Sequence, residues 1–185
     1  GEKLAGALDA FGIDPAGSIC LDVGASTGGF TDCLLQRGAV RVHALDVGRG
    51  QLAERLRTDP RVVSMERTHA ARLDPDAADH LALGEPIDLA VADVSFISLT
   101  RLLRGMAWSV RPGGLLLPMV KPQFELTPRE VPKGVVRDPA LRGRAVALVA
   151  DHARTLGLEV LGEVESPLVG PSGNHEFFLH LRRPA

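Results

Sequence analysis

The chain of 185 residues has no tyrosine, one tryptophan and six phenylalanines. So few aromatic side chains leave little material for an extended surface on which nucleic-acid bases could stack. Its two cysteines, Cys20 and Cys33, form no CxxC pair and have no cluster of histidines near them in the sequence. We therefore interpret both as buried apolar residues, and the six scattered histidines predict no metal site.

Long apolar runs are absent as well. No stretch of about 18 apolar residues occurs, and the amino terminus lacks the basic and apolar regions of a secretion signal. These absences predict a cytoplasmic protein without a membrane partner. The net charge is −2, so a nucleic-acid partner would need a local basic patch. Candidates for such a patch, which could equally be solvated helix faces, are Arg101, Arg104 and Arg111, and Arg129, Lys133, Arg137, Arg142 and Arg144.

The remaining composition is that of one globular domain. A length of 185 residues with 45% hydrophobic side chains is enough for one core, and we predict a single domain over residues 1–185. Seven strand-like apolar runs lie at 19–23, 40–45, 61–65, 87–92, 115–120, 159–164 and 176–181. Helix-compatible stretches lie at 3–11, 29–37, 51–57, 76–83, 99–110 and 139–156.

This alternation predicts the α/β class, with a doubly wound sheet of mostly parallel strands. Several of the runs are continuously apolar, which is typical of strands buried on both faces. Residues 166–173 are too few to form a helix between the last two runs, so the last strand should be antiparallel to its neighbour. Residues 122–138 follow the fifth strand without periodicity. We predict a substrate lid there, a mobile connector being the alternative.

A glycine-rich turn follows the first strand, in the pattern Asp22-x-Gly24-x-x-x-Gly28-Gly29. A strand, a turn of this kind and a helix together present free backbone N–H groups to a ligand. The acid ahead of the first glycine would repel a pyrophosphate, but it would attract the ammonium of S-adenosylmethionine or order a water beneath it. Asp46 comes 24 residues later, after the second strand, where an acid commonly accepts hydrogen bonds from ribose. A generic tight turn is the alternative.

Polar residues also stand at the ends of three other strands. Asp93 follows the fourth strand, Lys121 follows the fifth, and Glu176 opens the last. A lysine directly after an apolar strand requires a paired charge, so carboxylates are expected near Lys121. An ion pair that only covers the strand ends is the alternative to a reactive site.

Six motifs resemble those of one protein family. They are LDVGASTGGFTD, DVGxGQL, DPRV, ADVSFISL, VKPQFE and GPSGNxEF, and together they span essentially the whole chain. The chain resembles the TlyA-type, FtsJ-like methyltransferases, whose members also carry the name haemolysin A. The resemblance implies a Rossmann-like class I fold that uses S-adenosylmethionine, with seven strands of which the last is antiparallel. It also implies methyl transfer to a ribose 2′-hydroxyl of ribosomal RNA, free or within a ribosomal subunit.

The family has a Lys-Asp-Lys-Glu tetrad, which the resemblance carries over to Lys3, Asp93, Lys121 and Glu176. A ribose hydroxyl is a weak nucleophile, so its oxygen must be held in line and its proton removed. We expect Lys121 to face that oxygen, either as a neutral base or as a cation that steers it. Asp93 and Glu176 would then orient Lys121 and the hydroxyl.

The turn and the resemblance together predict a set of cofactor-binding residues. These are Asp22, Gly24, Ala25, Ser26, Thr27, Gly28, Gly29, Phe30, Asp46, Val47, His69 and Asp93. Two positions depart from the family pattern. His69 replaces an asparagine expected near the adenine, and Arg49 replaces a tyrosine, so we expect altered cofactor contact there.

Other functions stay open at this stage. A catalytically idle RNA- or ribosome-binding module is the main alternative, followed by a nicotinamide-dependent oxidoreductase and a cytolysin. Family members usually carry an amino-terminal S4-like RNA-binding domain, whereas this chain begins just before the first predicted helix. We therefore expect it to bind S-adenosylmethionine but to methylate ribosomal RNA poorly on its own, as a monomer or a homodimer.

Overall fold

A computed structural model describes the whole chain, residues 1–185. The strands are β1 Ile19–Val23, β2 Arg41–Leu45, β3 Val62–Met65, β4 Ile87–Ala92, β5 Val110–Val120, β6 Glu159–Glu165 and β7 Phe177–Arg182. They form one sheet in the order β3-β2-β1-β4-β5-β7-β6. Strand β7 is antiparallel to both β5 and β6, while β1 to β5 pair in parallel. The predicted seven-stranded sheet with an antiparallel last strand is confirmed.

The helices are α1 Glu2–Phe11, α2 Gly29–Gln36, α3 Glu54–Arg57, α4 Leu103–Ser109, α5 Pro122–Glu125 and α6 Pro139–Thr155. Short 3₁₀ turns lie at Ala70–Leu73, Leu99–Arg101, Pro128–Glu130 and Pro132–Gly134. Helix α6 begins where the side chain of Asp138 accepts a hydrogen bond from the amide of Ala140 at 2.9 Å. It ends before Gly157, which adopts a left-handed φ of 80°.

The predicted helix at 76–83 is wrong, because that segment consists of turns and bends. The Asp74 carboxylate accepts a hydrogen bond from the amide of Asp76, a local turn that competes with helix formation. The amide of Leu81 reaches back to the carbonyl of Arg72 and closes the segment as a loop. The predicted helix at 99–110 is likewise divided into a 3₁₀ turn and α4.

The start of the fifth strand is also earlier than predicted. Strand β5 runs from Val110, and its pairing with β4 shifts register between Ile87 and Leu89. Gly113, inside this irregular stretch, has a φ of 80°. Gly113 therefore lies within an irregular part of β5 and does not separate a helix from a strand. The preceding helix ends at Ser109, where the sequence predicted a gap between residues 110 and 115.

Two apolar layers enclose the sheet. One cluster of 22 buried residues joins the sheet to α4 and α6, and a second of 19 joins the other face to α1, α2 and α3. Alternation along β1 sends Leu21 and Val23 into the first layer and Cys20 into the second. Asp22 shares the face of Cys20 and so points toward α2. Both cysteines are buried and free, as predicted.

No helix of the structure combines the length and the apolar character that a membrane crossing requires.

A half-buried imidazole on β7 makes stability depend on pH. The Nε2 atom of His180 is buried without a hydrogen-bond partner, and its ring lies 4.9 Å from that of Phe11. Burial, with the charge of Arg182, lowers the pKa of His180 below its ordinary value. The imidazole of His180 therefore binds a proton less readily in the folded chain than in the unfolded chain. Its contribution to the free energy of unfolding is complete above about pH 6.5 and is lost as the pH falls.

We expect the free energy of unfolding to decline below pH 6.5 by a few tenths of a kcal/mol per pH unit from this histidine, well under the ~1.4 kcal/mol limit for one proton. His180→Leu should flatten that decline. Urea unfolding of both proteins at several pH values measures the difference. Equal slopes in the two proteins would contradict the assignment.

Candidate active site

The predicted site residues meet at one edge of the sheet. Because parallel strands present their carboxyl ends at the same edge, the residues after β1, β4 and β5 emerge side by side. The antiparallel β7 begins at this edge, which brings Glu176 to it as well. Four separate parts of the sequence therefore meet at one edge of the sheet.

Two ion pairs hold the four residues of the predicted tetrad. The ammonium nitrogen of Lys121 lies 2.6 Å from Asp93 Oδ1 and donates to Ser95 Oγ at 3.0 Å. The ammonium of Lys3 lies 2.6 Å from Glu176 Oε2, and the Glu176 side chain is only 3% exposed. Lys3 and Asp93 line the same cavity of about 400 Å³. The carboxylate expected near Lys121 is therefore present, and the two pairs open on a common space.

The turn after β1 approaches Asp93 closely at a glycine. Gly24 has a φ of 81°, and a Cβ atom there would lie 2.2 Å from the carbonyl oxygen of Asp93. Its amide donates to the carbonyl of Leu45 on β2, and the amide of Asp93 donates to the carbonyl of Val23. Only a residue without a side chain fits between the ends of β1 and β4.

Asp46 stabilises this turn through both of its carboxylate oxygens. Oδ2 accepts a hydrogen bond from the amide of Ser26 and Oδ1 accepts one from the amide of Gly48, each at 2.8 Å. Ser26 has a φ of 51°, which a residue with a side chain seldom adopts. Each oxygen keeps a further lone pair for a ligand hydroxyl.

Asp22 lies beneath the turn. Its Oδ2 accepts a hydrogen bond from the Thr31 hydroxyl on α2 at 2.7 Å, and its Oδ1 has no partner. Burial raises the pKa of Asp22 to about 7, with smaller contributions from the charges of Asp93 and Asp46. Because Asp22 lines neither of the cavities at this edge, contact through a bridging water suits its position better than direct contact with a ligand.

A second and larger cavity, of about 760 Å³, lies beside the first. Of the predicted cofactor residues, the larger cavity is lined by Gly24, Ser26, Asp46, Val47, His69 and Asp93. The smaller is lined by Gly24, Ala25, Ser26, Thr27, Gly29, Phe30 and Asp93. Gly28 lines neither cavity, because it packs against Leu56, whose Cδ1 would lie 2.2 Å from a Cβ atom at this position.

His69 begins the 3₁₀ turn Ala70–Leu73. Its Nδ1 accepts a hydrogen bond from the amide of Ala71 at 3.1 Å, so a neutral ring carries its proton on Nε2. An asparagine side chain makes the same kind of cap. The replacement therefore preserves the local backbone, and His69 still lines the larger cavity. The other replaced position, Arg49, lines neither cavity.

Phe96 and Arg101 are among the lining residues outside the predicted cofactor set. Phe96 is 91% exposed, although phenylalanine is usually buried, and its φ of 65° is in the left-handed region. Its ring centroid lies 5.1 Å from that of Phe124. Arg101 lines the larger cavity and forms no ion pair. The sequence places Phe96 in the motif ADVSFISL after β4, but it gives no sign that the ring is exposed, because exposure depends on the tertiary structure.

Comparison with known proteins decides the family. Residues 1–183 match the family described as FtsJ-like methyltransferase. The chain belongs to this family. It is 54% identical over 181 residues to the 16S/23S rRNA (cytidine-2'-O)-methyltransferase TlyA of Mycobacterium tuberculosis, a match covering 97% of this chain and 66% of that protein.

Solved structures agree with this membership. A protein of Streptococcus thermophilus provisionally named a hemolysin has a TM-score of 0.92 at 39% identity, over 98% of this chain and 65% of that one. A protein of Listeria monocytogenes provisionally named an S-adenosylmethionine dependent methyltransferase has a TM-score of 0.68 at 14% identity, over 99% of this chain and 100% of that one, and so shares the fold. The predicted Rossmann-like class I fold is confirmed. The FtsJ-like chain spans about two thirds of the length of the curated relatives it matches.

The close approach at Gly24 predicts an unusually costly substitution. Gly12 also has a positive φ, 65°, but a Cβ atom there would meet nothing within 4 Å. Gly12→Ala should therefore cost only the left-handed conformation, roughly 1–2 kcal/mol. Gly24→Ala adds a clash with backbone and should cost more than about 3 kcal/mol. Urea unfolding of the two variants checks this, and equal losses would contradict the clash.

Proposed function

We propose that this FtsJ-like chain transfers the methyl group of S-adenosylmethionine to a ribose 2′-hydroxyl of ribosomal RNA. The observation that carries the proposal is the pair of lysine–carboxylate contacts on a cavity that adjoins the glycine turn. The name of the Mycobacterium tuberculosis relative states this chemistry for that protein. Because this chain spans only part of the length of that relative, we propose the activity for this chain and do not take it over from the name of the relative.

The residues around the turn suit the cofactor. Gly24 lines the larger cavity with backbone atoms alone, and this cavity is large enough for a nucleoside. Asp46 would accept hydrogen bonds from the ribose hydroxyls, and Val47 and His69 would border the adenine. The unpartnered Oδ1 of Asp22 would hold a water beneath the amino group. The bound cofactor supplies an electrophilic methyl group on a sulfonium.

Lys121 would hold the nucleophilic oxygen. The ammonium nitrogen of Lys121, fixed 2.6 Å from Asp93 Oδ1, would steer the hydroxyl oxygen, and the hydroxyl proton would pass to water as the oxygen is methylated. Asp93 would fix the direction of Lys121, and the pair of Lys3 with Glu176 would border the ribose on the other side. Alignment of the oxygen with the methyl group can contribute several kcal/mol, on the order of the effect of good orientation in model reactions.

Two features support an RNA acceptor. Arg129, Lys133 and Arg137 have no carboxylate within ion-pair distance in the structure, and all three belong to the segment 122–138 that follows Lys121. Unpaired cations beside a cleft attract phosphates despite a net charge of −2. The exposed ring of Phe96 at the cavity is suited to stack on a base. We propose that the segment 122–138 covers the RNA acceptor, in keeping with its prediction as a substrate lid.

Cofactor binding is the first test. We expect calorimetric titration to detect binding of S-adenosylmethionine and S-adenosylhomocysteine but not of NAD. An acid ahead of the first glycine disfavours the pyrophosphate of NAD. Binding of NAD alone would replace the proposal with an oxidoreductase.

Removal of the Lys121 side chain separates transfer from binding. Lys121→Ala should lower methyl transfer to ribosomal subunits by about 100-fold or more, because the oxygen loses its positioning group. The dissociation constant for S-adenosylhomocysteine should change by less than about threefold, since Lys121 lines neither cavity. Unchanged transfer would remove Lys121 from the mechanism.

Charge reversal on the segment tests the acceptor. Lys133→Glu should weaken RNA binding and make its dependence on salt shallower, because phosphate contacts release counterions. Cofactor affinity should stay the same. Arg57→Glu, at an exposed position on α3 without an ion pair, changes the net charge by the same amount and is the control. Equal RNA affinity of wild-type and Lys133→Glu proteins would contradict a phosphate contact there.

A further inference from the structure

One half-buried carboxylate near the site, that of Glu125, has no part in the proposed chemistry. Glu125, the last residue of α5, accepts a hydrogen bond from Ser98 Oγ on Oε2 at 2.5 Å and one from the amide of Leu99 on Oε1 at 2.9 Å. Burial raises the pKa of Glu125 above its ordinary value, although these two donors lower it. A carboxylate that is partly removed from water is stabilised by its hydrogen bonds, and these bonds in turn fix the groups that donate them, here Ser98 and Leu99.

These bonds reach the far end of the loop that begins at Asp93. The backbone of residues 94–97 makes no hydrogen bond to other backbone groups. Only side chains therefore tether this loop by hydrogen bonds: Lys121 to Ser95, and Glu125 to Ser98 and Leu99. Both tethers come from the same short stretch, from Lys121 to the end of α5.

The loop also contains a strained residue. Phe96 has a φ of 65°, and a left-handed conformation persists in a bulky residue only when the surroundings stabilise it. The ring of Phe124 contacts that of Phe96, so α5 touches the loop at a third point. The carbonyl of Lys121 accepts a hydrogen bond from the amide of Phe124 at 2.9 Å, which joins the α5 turn to the lysine itself. Movement of α5 would therefore alter the loop and Lys121 together.

We propose that Glu125 is a positioning residue for methyl transfer. By holding Ser98 and Leu99, it keeps the loop 94–97 in the strained conformation that sets Ser95 against Lys121 and turns the ring of Phe96 outward. This inference rests on the proposed function, because it assigns Glu125 a role in that reaction. Glu125 acts through Ser98 and the loop, and touches no substrate.

The first arm of the test is kinetic. Glu125→Ala should lower kcat for transfer to ribosomal subunits by about tenfold or more, while the KM for S-adenosylmethionine changes by less than about threefold. A role in stability alone would lower the melting temperature and leave kcat of the folded fraction unchanged. Glu85→Ala is the matched control, since Glu85 is a half-buried carboxylate that contacts Arg41 and His43 on β2, at the opposite edge of the sheet from the site. It should keep kcat within about twofold.

A double-mutant cycle shows whether Glu125 acts through Ser98. Ser98→Ala removes one of the two bonds, so its effect should be smaller than that of Glu125→Ala. The double variant should have nearly the kcat of Glu125→Ala, because the effects of residues in direct contact are not additive. If the loss of kcat in the double variant equals the product of the two single losses, Glu125 does not act through Ser98. If folded Glu125→Ala has the kcat of the wild-type protein, the proposal is overturned.

The second arm is amide hydrogen exchange, which needs no substrate. Glu125→Ala should accelerate exchange at Leu99 by about tenfold or more and leave the strands β1 and β4 protected. If the wild-type protein transfers no methyl group to any ribosomal acceptor, the proposed function fails. Exchange then still decides whether Glu125 holds the loop: faster exchange at Leu99 supports the tether, and unchanged exchange there overturns it.

Discussion

The close contact between Gly24 and the carbonyl of Asp93 is the constraint on which the site depends. It joins the end of β1 to the end of β4, and the amide of Gly24 joins both to β2 through Leu45. With a side chain at this position, the strand ends would separate and the cavities beneath the loops would change shape. The turn that borders the cofactor cavity and the acid that meets Lys121 are therefore set by one backbone contact.

Charge is balanced locally at this edge. Lys121 and Asp93 neutralise each other, as do Lys3 and Glu176, so the four residues bring little net charge to the cleft. Asp22 lies near these residues but pairs with no cation, and its burial raises its pKa to about 7. A positive ligand above the turn would therefore find a carboxyl group that can still ionise. The basic side chains of the segment after Lys121 lie outside this balance and remain free for an anion.

The number of strands and their mostly parallel arrangement were predicted from the sequence, but several segment boundaries were not. Apolar runs between helices predict a parallel sheet because each strand is buried on both faces. The failed helix at 76–83 shows the limit, since side-chain turns around Asp74 outweigh a helical propensity that is weak on its own. The extension of β5 back to Val110 depends on its pairing with Ile87 of β4, a contact between residues 23 positions apart that no local pattern contains.

The sequence by itself determined the family, the sheet and the residue types at each strand end, because motifs and apolar periodicity are local. Tertiary structure alone decided which charges pair. Lys3 and Glu176 are 173 residues apart in the chain and meet only because β7 enters the sheet in the antiparallel direction. Exposure of Phe96, the tether from Glu125 and the position of Asp22 beneath the turn were decided in the same way. Each depends on surfaces that come together only when distant segments pack.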